Sequence, residues 1–80
     1  MLYSEMMLGE EIRAKRLEKG WSRRKLVEAL AEKGLTVHRN TIVRWEGGQT
    51  EPKYSDLVVL RSVLGIRVFN GLGEKAKALD

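Results

Sequence analysis

The chain contains no cysteine and a single histidine, His38. Without thiols, neither a disulfide nor a thiolate metal site supports the fold. One imidazole, with no ligand cluster around it, leaves no basis for a metal centre. No run of ~18 apolar residues occurs, so nothing is long enough to span a membrane. No glycine-rich loop ending in lysine follows a strand, so no phosphate cradle for a nucleotide is indicated. Ser22 and Ser55 have no recognisable base partner. A lone histidine near a helix start is far more often a cap or a phosphate neighbour than a general base. The expectation is a non-enzymatic domain with no cofactor and no metal. The opening Met1-Leu2-Tyr3-Ser4-Glu5 has no basic n-region and is expected not to be a secretion signal, so a cytoplasmic location is expected.

What is present is basic. Eighty residues make one small domain whose core is marginal, so oligomerisation is a natural expectation. The formal net charge is +4, with a sequence pI near 9.7. Between Arg13 and Arg44 lie ten Lys or Arg against three acids, Glu18, Glu28 and Glu32, so the remainder of the chain is net acidic. Charge runs are usually solvated helix faces. Here the concentration coincides with the segment that patterns as a nucleic-acid reader.

That segment is His38-Arg39-Asn40-Thr41-Ile42-Val43-Arg44-Trp45-Glu46. At 3.6 residues per turn it sorts into two faces. Ile42 and Trp45 fall inward, with Val37 just ahead. Asn40, Val43 and Arg44 fall outward, with Arg39 at their edge. An amide and a guanidinium one turn apart suit base edges in a DNA major groove, Asn to adenine and Arg to guanine. Gly47 and Gly48 follow where the helix should stop.

The rest of the chain frames it. A short arm covers 1–6 and has no Arg or Lys. A first helix from about Met7 to Lys19 carries Glu10 and Glu11 in its first turns and stops at Gly20, with Leu8, Ile12 and, less directly, Leu17 as apolar contacts. A second, from Ser22 to about Ala31, has Leu26, Val27 and Leu30 as its stripe. Arg23, Arg24 and Lys25 crowd its first turn, where cations oppose the macrodipole and where phosphates would relieve them. Ala31 to Thr36 connect it to the central stretch, with Gly34 as the left-handed residue. A fourth helix, from about Tyr54 to Leu64, has two apolar sides: Leu57, Leu60 and Leu64 on one, Val59, Val63 and then Ile66 on the other. A second apolar side is either buried or offered to a partner. Val68 and Phe69 follow it directly. The segment from Arg67 to Gly71 reads as a short strand or an aborted helix, and Glu74 to Asp80 as a frayed tail. The domain itself is expected over 7–66, with 67–80 as a C-terminal extension.

The residues Leu8-Gly9-Glu10-Glu11-Ile12-Arg13 through Arg16, Gly20-Trp21-Ser22, Leu26, Thr41-Ile42-x-Arg44-Trp45-Glu46-x-Gly48 and Glu51-Pro52 resemble the Xre family. That family includes the phage Cro and repressor DNA-binding domains. The resemblance covers about Leu8 to Ile66, and its Ile-x-x-Trp-Glu-x-Gly block with a downstream Glu-Pro is its most specific part. It implies an all-α, lambda-repressor-like domain of four to five helices, prokaryotic or phage-encoded, that binds duplex DNA, usually as a homodimer on an inverted-repeat operator. By position it implies that Arg39, Asn40, Val43 and Arg44 face bases. Arg23, Arg24, His38, Thr41 and Gly48 are the expected phosphate contacts. Arg16 and Glu46 match a structural pair linking the first helix to the end of the third. Val59, Val63, Ile66, Val68 and Phe69 are the expected dimer contacts. The chain departs from the family in a longer connection before the third helix, in Val27 where a small Ala is typical, and in lacking a clear fifth helix. Two other uses of such a domain are an antitoxin that autoregulates its promoter with a toxin partner, and a phage assembly adaptor that binds protein rather than DNA.

Overall fold

The computed structural model describes residues 7–67, and the regular elements among them are four helices: α1 (Leu8–Glu18), α2 (Arg23–Glu32), α3 (Arg39–Glu46) and α4 (Tyr54–Leu64). The expected arm, and the extension from Val68 onward with Phe69 in it, lie outside the described residues.

Each helix starts and stops for a local reason. At the head of α1 the Glu10 carboxylate accepts the Met7 N–H at 3.1 Å, and Glu10 and Glu11 both sit in the first turn, where the helix dipole favours anions. Ser22 Oγ caps α2 by accepting the Lys25 N–H at 3.0 Å. Helices α1 to α3 all close with the same pair of backbone bonds, the Schellman pattern. In α1 these run from Trp21 N–H to the Arg16 carbonyl (3.1 Å) and from Gly20 N–H to the Leu17 carbonyl (2.9 Å). In α2 Leu35 donates to Leu30 and Gly34 to Ala31; in α3 Gln49 donates to Arg44 and Gly48 to Trp45.

The four helices bury one continuous core. Ile12 of α1, Leu26 and Leu30 of α2, Ile42 of α3 and Leu60 of α4 are fully buried, with Leu8, Trp45, Leu57, Leu64 and Ile66 closing around them. Both α3 and α4 pack on the α1–α2 pair. At the α1–α3 crossing the backbones nearly touch. A methyl group on Gly9 would overlap the carbonyl oxygens of Trp45 and Glu46. Only glycine allows α1 to lie this close, and that closeness sets the height of α3 on its support.

Three expectations are corrected. Leu17 is exposed rather than supporting the core, because five residues place it about 140° around the helix from Ile12. Val27 is half-buried, packed at the edge of the core rather than within it. Ile66, expected on a partner-facing stripe, is only 1% exposed in the single chain. It lies beyond the end of α4, after Gly65 has turned the backbone left-handed at φ 77°, so the α4 helical wheel no longer governs its direction. The next residue is tied down, since Arg67 N–H donates to the buried Glu11 carboxylate at 2.8 Å. Val59 and Val63 are half-buried against the same core, and the fully outward apolar side chains of α4 are Tyr54 and Val58.

Candidate nucleic-acid interface

The site is built on α3, whose two faces differ sharply. Ile42, Trp45 and Glu46 are buried, while Arg39, Asn40, Val43 and Arg44 are exposed. Positions 40, 43 and 44 are one turn apart, so their side chains stand together on the outward face. The apolar side of the helix sinks into the core and leaves an amide, a small apolar group and two guanidiniums facing solvent.

The start of α3 is held by His38. Its Nδ1 accepts the Asn40 N–H at 2.9 Å, which makes it the N-cap. A neutral imidazole accepting at one nitrogen donates at the other, so Nε2–H is left for an outside acceptor. Thr41 donates its backbone N–H to the His38 carbonyl at 2.9 Å, and its half-buried side chain lies beside the helix start. Of the two roles open to a lone histidine here, the cap is the one the geometry fills.

Gly48, an expected phosphate contact, lies exposed just past the end of α3. Its one donor, the backbone N–H, goes to the Trp45 carbonyl at 3.1 Å, and its φ of 78° is the left-handed turn that ends α3. It shapes the end of α3 from within.

Beneath the exposed face lies a charged network. Arg16 Nε donates to Glu46 Oε2 at 2.7 Å, and Arg16 Nη2 donates to Glu46 Oε1 at 3.1 Å. Arg16 Nη1 donates to the Trp21 carbonyl at 2.9 Å. The expected Arg16–Glu46 link between α1 and α3 is thus a two-point bond, with both side chains nine-tenths or more buried. Sequence reasoning missed the third member. Arg23 Nε donates to Glu46 Oε1 at 3.0 Å, with its side chain one-third exposed. The only signal available was Arg23's place in the first turn of α2, which says nothing of a partner 23 residues later.

Arg24, Lys25, Arg39 and Arg44 make no ion pair among the described residues. Arg24 and Arg39 flank half-buried Val27 in a cleft of about 360 Å³ between α2 and α3. The first turn of α2 contains no acid, and of its three cations only Arg23 has a carboxylate partner among the described residues, Glu46. One side of the molecule therefore presents uncompensated guanidiniums from two adjacent helices, the second of which also carries an exposed amide.

A helix-turn-helix family profile matches residues 12–69. The chain belongs to the Xre-like helix-turn-helix family. The family is one of DNA-binding regulators, with the Cro and lambda-repressor type of all-α fold. No curated protein and no solved structure matches the chain. In such motifs the first helix crosses the DNA backbone and the second enters the major groove; the two helices in those places here are α2 and α3. The turn between them, residues 33–38, is long, but the Gly34 closure and the His38 cap fix both of its ends. No described helix is long and apolar enough to cross a membrane, and no group of potential metal ligands occurs among the described residues.

Proposed function

We propose that this helix-turn-helix is a sequence-specific transcriptional regulator that reads duplex DNA with α3 and binds an inverted repeat as a homodimer. The observation that carries the reading is the outward face of α3, where Asn40 and Arg44 stand exposed one turn apart over a buried Ile42, Trp45 and Glu46. Asn40 has the donor–acceptor pair that matches adenine, and Arg44 the fork that matches guanine. Val43 between them suits a thymine methyl, and Arg39 at the edge reaches the neighbouring base step. Arg23 and Arg24 at the head of α2, with His38 Nε2 and the Thr41 hydroxyl at the head of α3, hold phosphates and fix the register. Two recognition helices in one dimer would enter successive major grooves ~34 Å apart.

Selection of duplexes from a random pool, followed by gel retardation, tests this. The expected outcome is a short motif repeated in inverted orientation. Retention of every duplex alike would remove sequence-specific reading. Co-purification with a small toxic protein would assign the promoter-bound antitoxin role instead.

A further inference from the structure

We propose that Glu46 is a positioning residue for DNA-backbone binding: it holds the Arg23 guanidinium by its inner edge so that its outer edge meets a phosphate. This inference rests on the DNA-binding reading and adds to it a carboxylate that never touches DNA.

Three observations support it. First, Glu46 Oε1 accepts from both Arg16 Nη2 and Arg23 Nε, at 3.1 and 3.0 Å. Arg16 fixes the carboxylate through its own two-point bond, so Glu46 is a rigid anchor, with its side chain only 3% exposed. Second, an arginine has five N–H donors on one planar fork. Arg23 uses Nε inward, and its Nη donors have no partner among the described residues. Because the fork is planar, fixing the Nε–H direction fixes where the Nη edge faces. An arginine held in this way loses less rotamer freedom when it meets an anion. Third, two guanidiniums share one carboxylate, so the cluster keeps a net positive charge. Arg16 is buried, and the charge opens to solvent through Arg23.

The proposal runs against simple Coulomb reasoning, which makes it testable. A carboxylate near a phosphate repels it, so on charge alone neutralising Glu46 should tighten DNA binding. Positioning gives the opposite sign. It also separates lysine from arginine at position 23. A lysine there has one cationic head, which Glu46 draws inward and away from the phosphate.

The test measures affinity against salt concentration for the full chain on the duplex selected from the random pool. The variants are Arg23→Lys, Arg23→Gln and Glu46→Gln. Arg23→Lys is expected to match Arg23→Gln, with roughly tenfold weaker binding at low salt and a salt slope shallower by about one unit. The selected base motif should stay unchanged in both. Glu46→Gln should weaken binding, and adding Arg23→Lys to it should change little further. If Arg23→Lys keeps wild-type affinity and slope, or if Glu46→Gln binds more tightly, positioning is overturned and Arg23 acts as a plain charge. If Glu46→Gln does not fold, Arg23→Lys decides alone, since it leaves the Arg16–Glu46 pair in place. Failure of the wild-type chain to retain any duplex would overturn the DNA-binding reading, and this inference with it.

Discussion

Arg16 and Glu46 meet in a two-point ion pair, 2.7 Å from Nε to Oε2 and 3.1 Å from Nη2 to Oε1, thirty residues apart in the chain. Removing one partner of a buried pair strands the other charge and costs ~3–5 kcal/mol. That is a large share of the ~5–15 kcal/mol that holds a typical domain together. Arg16→Ala and Glu46→Ala should therefore lower the melting temperature by well over ten degrees, given ~4–8 °C per kcal/mol for a domain of this size. Glu28→Ala, on the exposed side of α2, should move it by only a few degrees. Thermal denaturation followed by circular dichroism checks this. Equal, small shifts for all three would mean that the pair adds nothing to stability.

Gly9 makes a second, independent prediction. A methyl group there meets the carbonyl oxygens at the end of α3, which are backbone and cannot rotate away. Alanine ordinarily favours a helix over glycine by ~0.8–1 kcal/mol. At this crossing the sign should reverse, with Gly9→Ala destabilising by roughly 1–3 kcal/mol, the usual range for overpacking. A melting temperature above wild type would show that α1 and α3 are not held this close.

Much of this was legible in the sequence, for reasons of period and punctuation. The apolar spacing and the stops at Gly20, Gly34, Gly48 and Gly65 set the four helices to within about a residue of their ends. The inward Ile42 and Trp45 and outward Asn40 and Arg44 followed from helix geometry alone. What could not be read was whatever depends on how helices cross. Periodicity places Arg23 on a solvated first turn, but only the tertiary arrangement brings Glu46 beside it. Gly9 looks like a minor weakness inside a helix until the partner backbone is in place. Ile66 was misplaced because helical phase was extended past Leu64, where Gly65 had already ended the helix.

Base readout should reside on the exposed face of α3. A well-formed bidentate contact contributes ~1–3 kcal/mol of discrimination. Asn40→Ala and Arg44→Ala should each relax preference at one position of the half-site and leave the others intact. Both residues are exposed, so melting temperatures should stay near wild type. Repeating the duplex selection with each variant gives the answer, and an unchanged motif from both would place the reader elsewhere.

The proposed homodimer and the core compete for the same side of α4, and substitutions can separate them. Ile66 is buried in the single chain, so Ile66→Ala should lose roughly 2–5 kcal/mol at every protein concentration. Val59 and Val63 are only half-buried, with the rest of their surface open to a partner. At ~25 cal/mol per Å² of apolar surface, a few such side chains offset only part of the entropic cost of association. The free dimer should therefore be weak and should tighten on DNA, where both subunits bind one duplex. Linkage then requires the wild-type melting temperature to rise with protein concentration. Val63→Ser should flatten that dependence while leaving a folded chain, since the hydroxyl can point to water. Sedimentation and melting across the same concentration series measure both effects. A wild type that is monomeric throughout, with a melting temperature independent of concentration, would assign Val59 and Val63 wholly to the core and leave each half-site to be bound by a single chain.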